Sequence, residues 1–315
     1  MNMKLIEQMK GRDFLALGDY TQEELFALIE YAIELKRKQK AGDPEQPLKG
    51  KTLAMVFEKS STRTRVSFEV GMYQLGGSAL FLSSNDIQIG RGEPISDTAQ
   101  VLSRYVDGIM IRTFGHNTVI ELARNSTVPV INGLSDFNHP CQVLADLMTV
   151  YEHKGKLQGL KIAYVGDGNN MAHSLLMGAA KFGMTIAVAT PADYGPDADA
   201  VEQAKEQARL YGGTVIVTND LAEAVKDADV IYTDVWASMG FEAEQKAREA
   251  AFAEFQVNEE LAALATSDYL FMHCLPAHRG EEVSAGVIDG PNSVIFDEAE
   301  NRLHAQKAIM AALMA

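Results

Sequence analysis

Short apolar runs bounded by turn residues alternate with helix-period segments along most of this 315-residue chain, and that alternation restricts the fold more than any other feature. Strands joined through an intervening helix run parallel, because a crossover of that length carries the chain back to the same end of the sheet. After a first helix announced by the capping pair Thr21 and Glu24, runs at 52–57, 78–82, 108–112 and 128–131 read as strands. Helices are expected near 64–75, 96–105 and 118–124, and a longer one from 141 to about 153. The stretch HKGKLQG at 153–159 is polar, Gly-punctuated and without period, which marks a domain boundary. Alternation then restarts with strands at 161–165, 185–189, 214–217, 230–233 and 269–272, and a clear helix at 198–210. A final helix, roughly 298–314, has no strand after it and can pack back on the first half. The expected class is α/β, with two parallel-sheet α/β domains: residues 1–150 joined by the returning helix 298–315, and residues 151–297. Ligands, and so the active site, belong in the cleft between them at the carboxyl ends of strands.

Charge narrows the partners. With 28 Lys and Arg against 43 Asp and Glu, the formal charge is -15, which argues against nucleic acid or an anionic membrane. An anion site must then be locally basic against the global field, and this singles out Arg63, Arg65, Arg112 and Arg302. Two cysteines, Cys141 and Cys274, make no disulfide framework and fit a reducing compartment. No run approaches a membrane span and the first residues lack a signal-peptide core, so a cytoplasmic location is expected.

Four motifs fall at strand ends. Ser60-Ser61-Thr62-Arg63-Thr64-Arg65 precedes a helix on which Val66, Glu69, Val70 and Tyr73 mark an apolar stripe, ending at Gly76-Gly77. A solvated cap needs one hydroxyl; four, with two arginines at free N–H groups and the positive end of a helix dipole, point to an anion. In FNHPCQVLADL, His139 and Gln142 are three apart with Pro140 at the first helical position, so both can face one way and donate to a carbonyl oxygen. A plain polar cap is the alternative. Gly166-x-Gly168 suggests a dinucleotide turn, but Met171 stands where a third glycine belongs and Thr190-Pro191 where an acid belongs, against a nicotinamide cofactor. Asn169 and Asn170 either cap that helix or turn one amide to a polar substrate. Asp234 ends a strand in YTDVWASMG, and His273 with Cys274 ends another in FMHCLPAHRGEEV. Cys274 precedes a Pro turn where ligands bind in this architecture, although a free cysteine is commonly an inert buried thiol. Metal binding by His273, Cys274 and His278 lacks a matching second cluster. The long connection after Gly240 reads as one or two surface helices and as a lid over 238–265, with a harmless insertion as the alternative.

STRTR, HPCQ, DVWASMG and HCLPAHRG, in this order and at these separations, resemble the ornithine carbamoyltransferases, with a likeness running from about Phe14 to the last helix. The first two are shared with aspartate carbamoyltransferase; the last two narrow the resemblance to the ornithine branch. It implies that Ser61, Thr62, Arg63 and Thr64 hold the phosphate of carbamoyl phosphate. Arg112 and His139 would reach phosphate and carbonyl oxygens, Gln142 the carbamoyl amide, and Arg302 would complete the pocket. Gln88 matches a loop that in the family reaches into a neighbouring subunit's site. Asn170, Asp234, Ser238 and Met239 would bind ornithine, while Cys274 and Leu275 line the reacting centre. The implied catalytic set is Cys274, Asp234, Arg112 and His139. The implied reaction carries a carbamoyl group from carbamoyl phosphate to the side-chain amine of L-ornithine, giving L-citrulline and phosphate in arginine metabolism. No cofactor and no metal are implied, and the assembly is a homotrimer or a multiple of trimers. Cys141 departs from the threonine frequent in relatives, at a variable position.

Such a transfer has two difficulties: the amine must be neutral although an alkylammonium titrates near pKa ~10, and the carbonyl must be polarised as phosphate leaves. Asp234 and Cys274 would orient the amine and help remove its proton; a covalent carbamoyl-thioester on Cys274 is the rival. Other acceptors compatible with the first half are putrescine, N-acetylornithine and aspartate. A dehydrogenase or binding module would rest on Gly166-x-Gly168 alone.

Overall fold

The computed structural model describes residues 2–84, 87, 89, 92–237 and 244–315. Two compact units divide the chain: Met1–Met148 with Glu300–Ala315, and Thr149–Ala299. Both crossings fall inside helices rather than in the polar stretch 153–159.

Unit 1 contains α1 (Met3–Gln8), α2 (Gln22–Lys40), β1 (Thr52–Phe57), α3 (Thr62–Gln74), β2 (Ser78–Ser83), α4 (Ile95–Leu102), β3 (Gly108–Arg112), α5 (His116–Asn125), β4 (Val130–Leu134) and the opening turns of α6 (Pro140–Lys154). The reciprocal bonds of Thr21 and Glu24 start α2 as their spacing predicts. The sheet is parallel in the order β2-β1-β3-β4. Its middle strands are buried nearly throughout, which suits continuous apolar runs covered on both faces. β4 begins and ends later than its apolar run suggests. Asn132-Gly133 reads as a turn pair, yet Asn132 is buried and its Nδ2 donates to the carbonyl of Leu15 at 3.0 Å.

The stripe on α3 is a correction. Its buried face is Thr64, Phe68, Gly71 and Met72, and at Gly71 a Cβ would lie 2.8 Å from Met310. Val66, Val70 and Tyr73 are 52%, 36% and 78% exposed. Periodicity identifies a face without saying which neighbour covers it.

Unit 2 contains the rest of α6, then β5 (Lys161–Val165), α7 (Asn170–Lys181), β6 (Thr185–Ala189), α8 (Ala198–Tyr211), β7 (Thr214–Thr218), α9 (Leu221–Val225), β8 (Val230–Thr233), α10 (Gln245–Phe252), α11 (Glu259–Ala262), β9 (Leu270–His273), α12 (Ala285–Ile288) and the first turn of α13 (Ile295–Met314). Its parallel sheet has the order β7-β6-β5-β8-β9. Of the expected lid, α10 and α11 are tied to the unit 2 core through Phe252 and Leu261, beside Trp236 and Phe255; its hinge at Gly240 lies outside the described residues. Among the described residues no helix is long and apolar enough to cross a membrane.

Both sheets reverse direction once. Unit 1 runs from β1 out to β2 and returns beside β1 at β3; unit 2 runs from β5 out to β7 and returns beside β5 at β8. Diverging connections open a crevice at the carboxyl ends of the strands flanking such a reversal. Residues 61–64 and Arg112 lie at the ends of β1 and β3, and Asn169 and Asp234 follow β5 and β8, while His139 and Cys274 follow the adjoining strands β4 and β9.

Candidate active site

In unit 1, α3 opens on Ser61, whose Oγ accepts from the Thr64 N–H at 3.2 Å. The Thr64 hydroxyl oxygen is buried and receives three donors: Ser61 Oγ at 3.1 Å, Arg302 Nη2 at 2.8 Å and Arg112 Nη1 at 3.4 Å. Residues from the ends of β1 and β3 and from α13 thereby meet on one atom. Two guanidinium forks are thereby held side by side next to a helix N-terminus, an arrangement that suits an oxyanion. Arg112 and Arg302 are 7% and 3% exposed.

His139 precedes α6 and is also buried. Burial first, then the charges of Arg302, Arg112, Lys59 and Arg63, hold its pKa well below the usual imidazole range. It is therefore neutral at physiological pH and acts through a ring N–H or lone pair rather than a charge. Gln142 donates through Nε2 to Asp146 Oδ1 at 2.8 Å, which orients its amide. Cys141 is buried with its thiol pushed up to about 12, mainly by desolvation, and is inert. Arg65 is turned outward, over the Phe81 ring at 3.7 Å, while Thr62 is exposed at the first position of α3.

In unit 2 the loops after β5, β8 and β9 converge. Asp234 Oδ1 accepts from the Val235 N–H at 2.8 Å and the Cys274 thiol at 3.2 Å; Oδ2 accepts from Asn169 Nδ2 at 3.0 Å. Asn169 Oδ1 meanwhile caps α7, accepting from the N–H groups of Met171 and Ala172 at 2.9 and 3.3 Å. The next turn outward is also polar: Tyr164 donates to Asn169 Oδ1 at 3.3 Å, and Arg248 pairs with Asp167 at 2.8 Å. His273 has a fixed tautomer. Its Nδ1 accepts from the Leu275 N–H at 2.9 Å, so the proton sits on Nε2 and is donated to buried Glu282 at 3.0 Å. Leu275 takes a positive φ of 58°, a region costing a side-chain-bearing residue about 1–2 kcal/mol and held here by that same bond. Gly168 is explained internally: a Cβ would lie 2.2 Å from the Pro196 nitrogen, so chain rather than dinucleotide makes the close approach.

Asp234, His273 and Cys274 each offer a metal-ligating atom within 4.8 Å of the others. In this arrangement both ring nitrogens of His273 are engaged in hydrogen bonds, so a metal there would have to displace one.

Two family models match the chain. Residues 12–152 fit the carbamoyl-P binding domain of aspartate/ornithine carbamoyltransferase, and residues 158–313 fit the Asp/Orn binding domain. The chain belongs to the aspartate/ornithine carbamoyltransferase family. An ornithine carbamoyltransferase of Anoxybacillus flavithermus is 64% identical over 314 residues, covering 100% of both chains. An anabolic ornithine carbamoyltransferase of Pyrococcus furiosus is 58% identical, over 98% of each chain. The solved structure of the ornithine carbamoyltransferase from Pyrococcus furiosus superposes with a TM-score of 0.95, covering 97% of this chain and 98% of that one.

Within this family framework the structure gathers Ser61, Thr64, Arg112 and Arg302 in unit 1, with Arg63 and His139 coupled to them electrostatically. It gathers Asp234, Cys274 and, through the backbone, Leu275 in unit 2. Asn170 is the first residue of α7. Gln88, Ser238 and Met239 lie outside the described residues. Sequence reasoning missed two roles. Asn169 both caps α7 and holds Asp234, whereas its spacing suggested one or the other. Glu282 was unremarked in the run Glu281-Glu282-Val283, yet its buried carboxylate fixes the His273 tautomer; a glutamate followed by a valine on a short loop carries no signal of that.

Proposed function

We propose that the chain is an ornithine carbamoyltransferase, moving the carbamoyl group of carbamoyl phosphate to the side-chain amine of L-ornithine to give L-citrulline and phosphate. One observation carries the reading: three donors converge on the buried Thr64 hydroxyl while four cations surround a neutral His139, in a chain of net charge -15.

In this reading residues 1–150 with the returning helix bind carbamoyl phosphate and residues 151–297 bind ornithine. Ser61, Thr62, Arg63 and Thr64, at the N-terminus of α3, hold the phosphate with Arg302. The guanidinium forks suit a phosphate bidentately and stabilise the charge that grows as it departs. His139 and Arg112 donate to the carbonyl oxygen as it becomes an oxyanion; one such donor is typically worth ~3 kcal/mol. Gln142 accepts from the carbamoyl NH₂ through the end of its amide that Asp146 does not hold. Gln88 reaches a neighbouring subunit's site.

On the acceptor side Asp234, Asn170, Ser238 and Met239 bind ornithine. Cys274, with its thiol on Asp234, lies beside the amine; together they orient it and draw off its proton, and the departing phosphate is the final acceptor. Leu275 lines the same place. Thiol attack on the carbonyl is less well supported, because Cys274 Sγ donates to a carboxylate oxygen and His273 Nδ1 already accepts from a backbone N–H. A Cys274→Ser variant that turns over slowly without a trapped adduct fits orientation; a carbamoyl-thioester isolated from the wild type would reverse that assignment.

The anabolic relative supports a place in arginine synthesis, and a cytoplasmic location accords with it. A homotrimer, or a multiple of one, is the proposed assembly. Exposed Val66, Tyr73, Leu80, Phe81, Val101 and Tyr105 fall within one forty-residue stretch around α3, β2 and α4, and an apolar surface of that kind suits a second copy. Light scattering tests the assembly. A citrulline assay with carbamoyl phosphate and ornithine, putrescine, N-acetylornithine or aspartate tests the reaction. Carbamoylation confined to ornithine is expected; preference for another amine overturns it.

A further inference from the structure

The loop after Cys274 brings a second group of potential ligands together. His278 Nδ1 lies 3.4 Å from Glu281 Oε2 and 4.0 Å from Glu282 Oε2, and one donor atom from each residue lies within 4.8 Å of the others. His278 and Glu281 are half exposed, whereas the Glu282 side chain is fully buried. Glu282 Oε1 accepts from His273 Nε2 at 3.0 Å and from the His278 N–H at 2.7 Å. Its other oxygen, Oε2, has no hydrogen-bond partner among the described residues and is turned toward His278. A buried carboxylate oxygen in that state calls for a ligand.

The loop is already fixed. Gln256 Nε2 donates to the carbonyls of Gly280 and Glu281 at 2.9 and 2.8 Å, the Gly280 N–H donates to Val283 at 2.8 Å, and Arg279 pairs with Asp289 at 2.6 Å.

We propose that His278, Glu281 and Glu282 form a binding site for a divalent first-row transition-metal ion. One imidazole and two carboxylates at roughly 2.0–2.2 Å from a tetrahedral ion stand about 3.3–3.5 Å apart. The His278–Glu281 separation already meets this, and a shift under about 1 Å brings Glu282 to it. Three protein ligands leave one position for water, and the donor set suits zinc or manganese better than the harder magnesium. The site is separate from the Asp234–Cys274 pair, which has a sulfur ligand to offer.

That sulfur makes the test decisive. The intact protein is titrated with zinc(II) by calorimetry and with cobalt(II) by visible absorption. One ion per chain is expected, with weak ligand-field bands and no thiolate-to-cobalt charge transfer. His278→Ala and Glu281→Gln should each weaken binding at least ~100-fold, beyond the roughly 10–100-fold typical of a merely supporting group. Both should keep metal-free citrulline synthesis unchanged, which shows that they fold, and Cys274→Ser should bind as tightly as wild type. Undiminished affinity in the His278 and Glu281 variants, a charge-transfer band as the cobalt signature, or no binding at millimolar ion would each overturn the proposal.

Discussion

The two candidate half-sites are built on opposite principles. Unit 1 crowds Arg63, Arg112, Arg302 and Lys59 around an imidazole kept neutral first by burial and then by their charges. Unit 2 instead ties a carboxylate, a thiol and an amide into hydrogen bonds, with the neighbouring imidazole locked in one tautomer by Leu275 and Glu282. The first concentrates positive charge and fixed guanidinium forks, which suit an anion. The second is already satisfied and works by where its protons lie. Substitutions should therefore injure unit 1 through lost charge and fork geometry, and unit 2 through small displacements and exchanged donor and acceptor roles.

The largest expected effect is in unit 1. Arg112→Ala and Arg302→Ala should each lower kcat/KM on the order of 10²–10³-fold, and Arg302→Lys should recover little, because a point charge does not reproduce the fork. Steady-state kinetics with carbamoyl phosphate varied measures this; full activity in the lysine variant would break the contrast. Next comes Asp234→Asn, which keeps the shape and reverses a hydrogen-bonding role. A fall in kcat of about 10²-fold is expected, with the KM for carbamoyl phosphate within about twofold. A large change in that KM would mean that the half-sites are not chemically independent.

Acid should distinguish the units by stability. An unfolded histidine takes up a proton near pH ~6.5, whereas folded His304 does so only at about 4, chiefly through burial, and His139 well below the usual value. Below ~6.5 the unfolded chain binds more protons, so stability falls with falling pH. Each histidine contributes up to about 1.4 kcal/mol per pH unit until its folded pKa is reached. Hydrogen exchange at about pH 5 against about pH 7.5 should show unit 1 losing protection first, and His304→Gln should flatten that loss. The smallest effect sharpens unit 2: Asn169→Asp keeps the cap on α7 but sets a carboxylate against Asp234. A rise of about tenfold in the ornithine KM, equivalent to ~1.4 kcal/mol, is expected, with melting temperature nearly unchanged.

Strands were legible because each buried run in a parallel sheet is apolar on both faces; β1, β3, β5, β6 and β8 keep the boundaries their sequences suggest. β4 was less so, since Asn132 disguises strand as turn until Leu15 supplies its partner. Short helices such as α9, α11 and α12 have too few turns to show a period. Site geometry was legible where contacts are local, as between Ser61 and Thr64. It was hidden where one atom serves distant parts of the chain, as Thr64 Oγ1 serves Arg112 and Arg302, or Glu282 serves His273. The outward stripe of α3 failed for a related reason: the inner face is claimed by Met310 and its neighbours on α13, which no local pattern announces.

The bond between Arg302 and Thr64 spans 238 positions. During translation, every side chain named in the acceptor half-site, up to Glu282, is added to the chain before Arg302. A nascent chain would thus shape its amine-handling loops first, and gain full grip on a phosphoryl ligand only as its closing helix emerges.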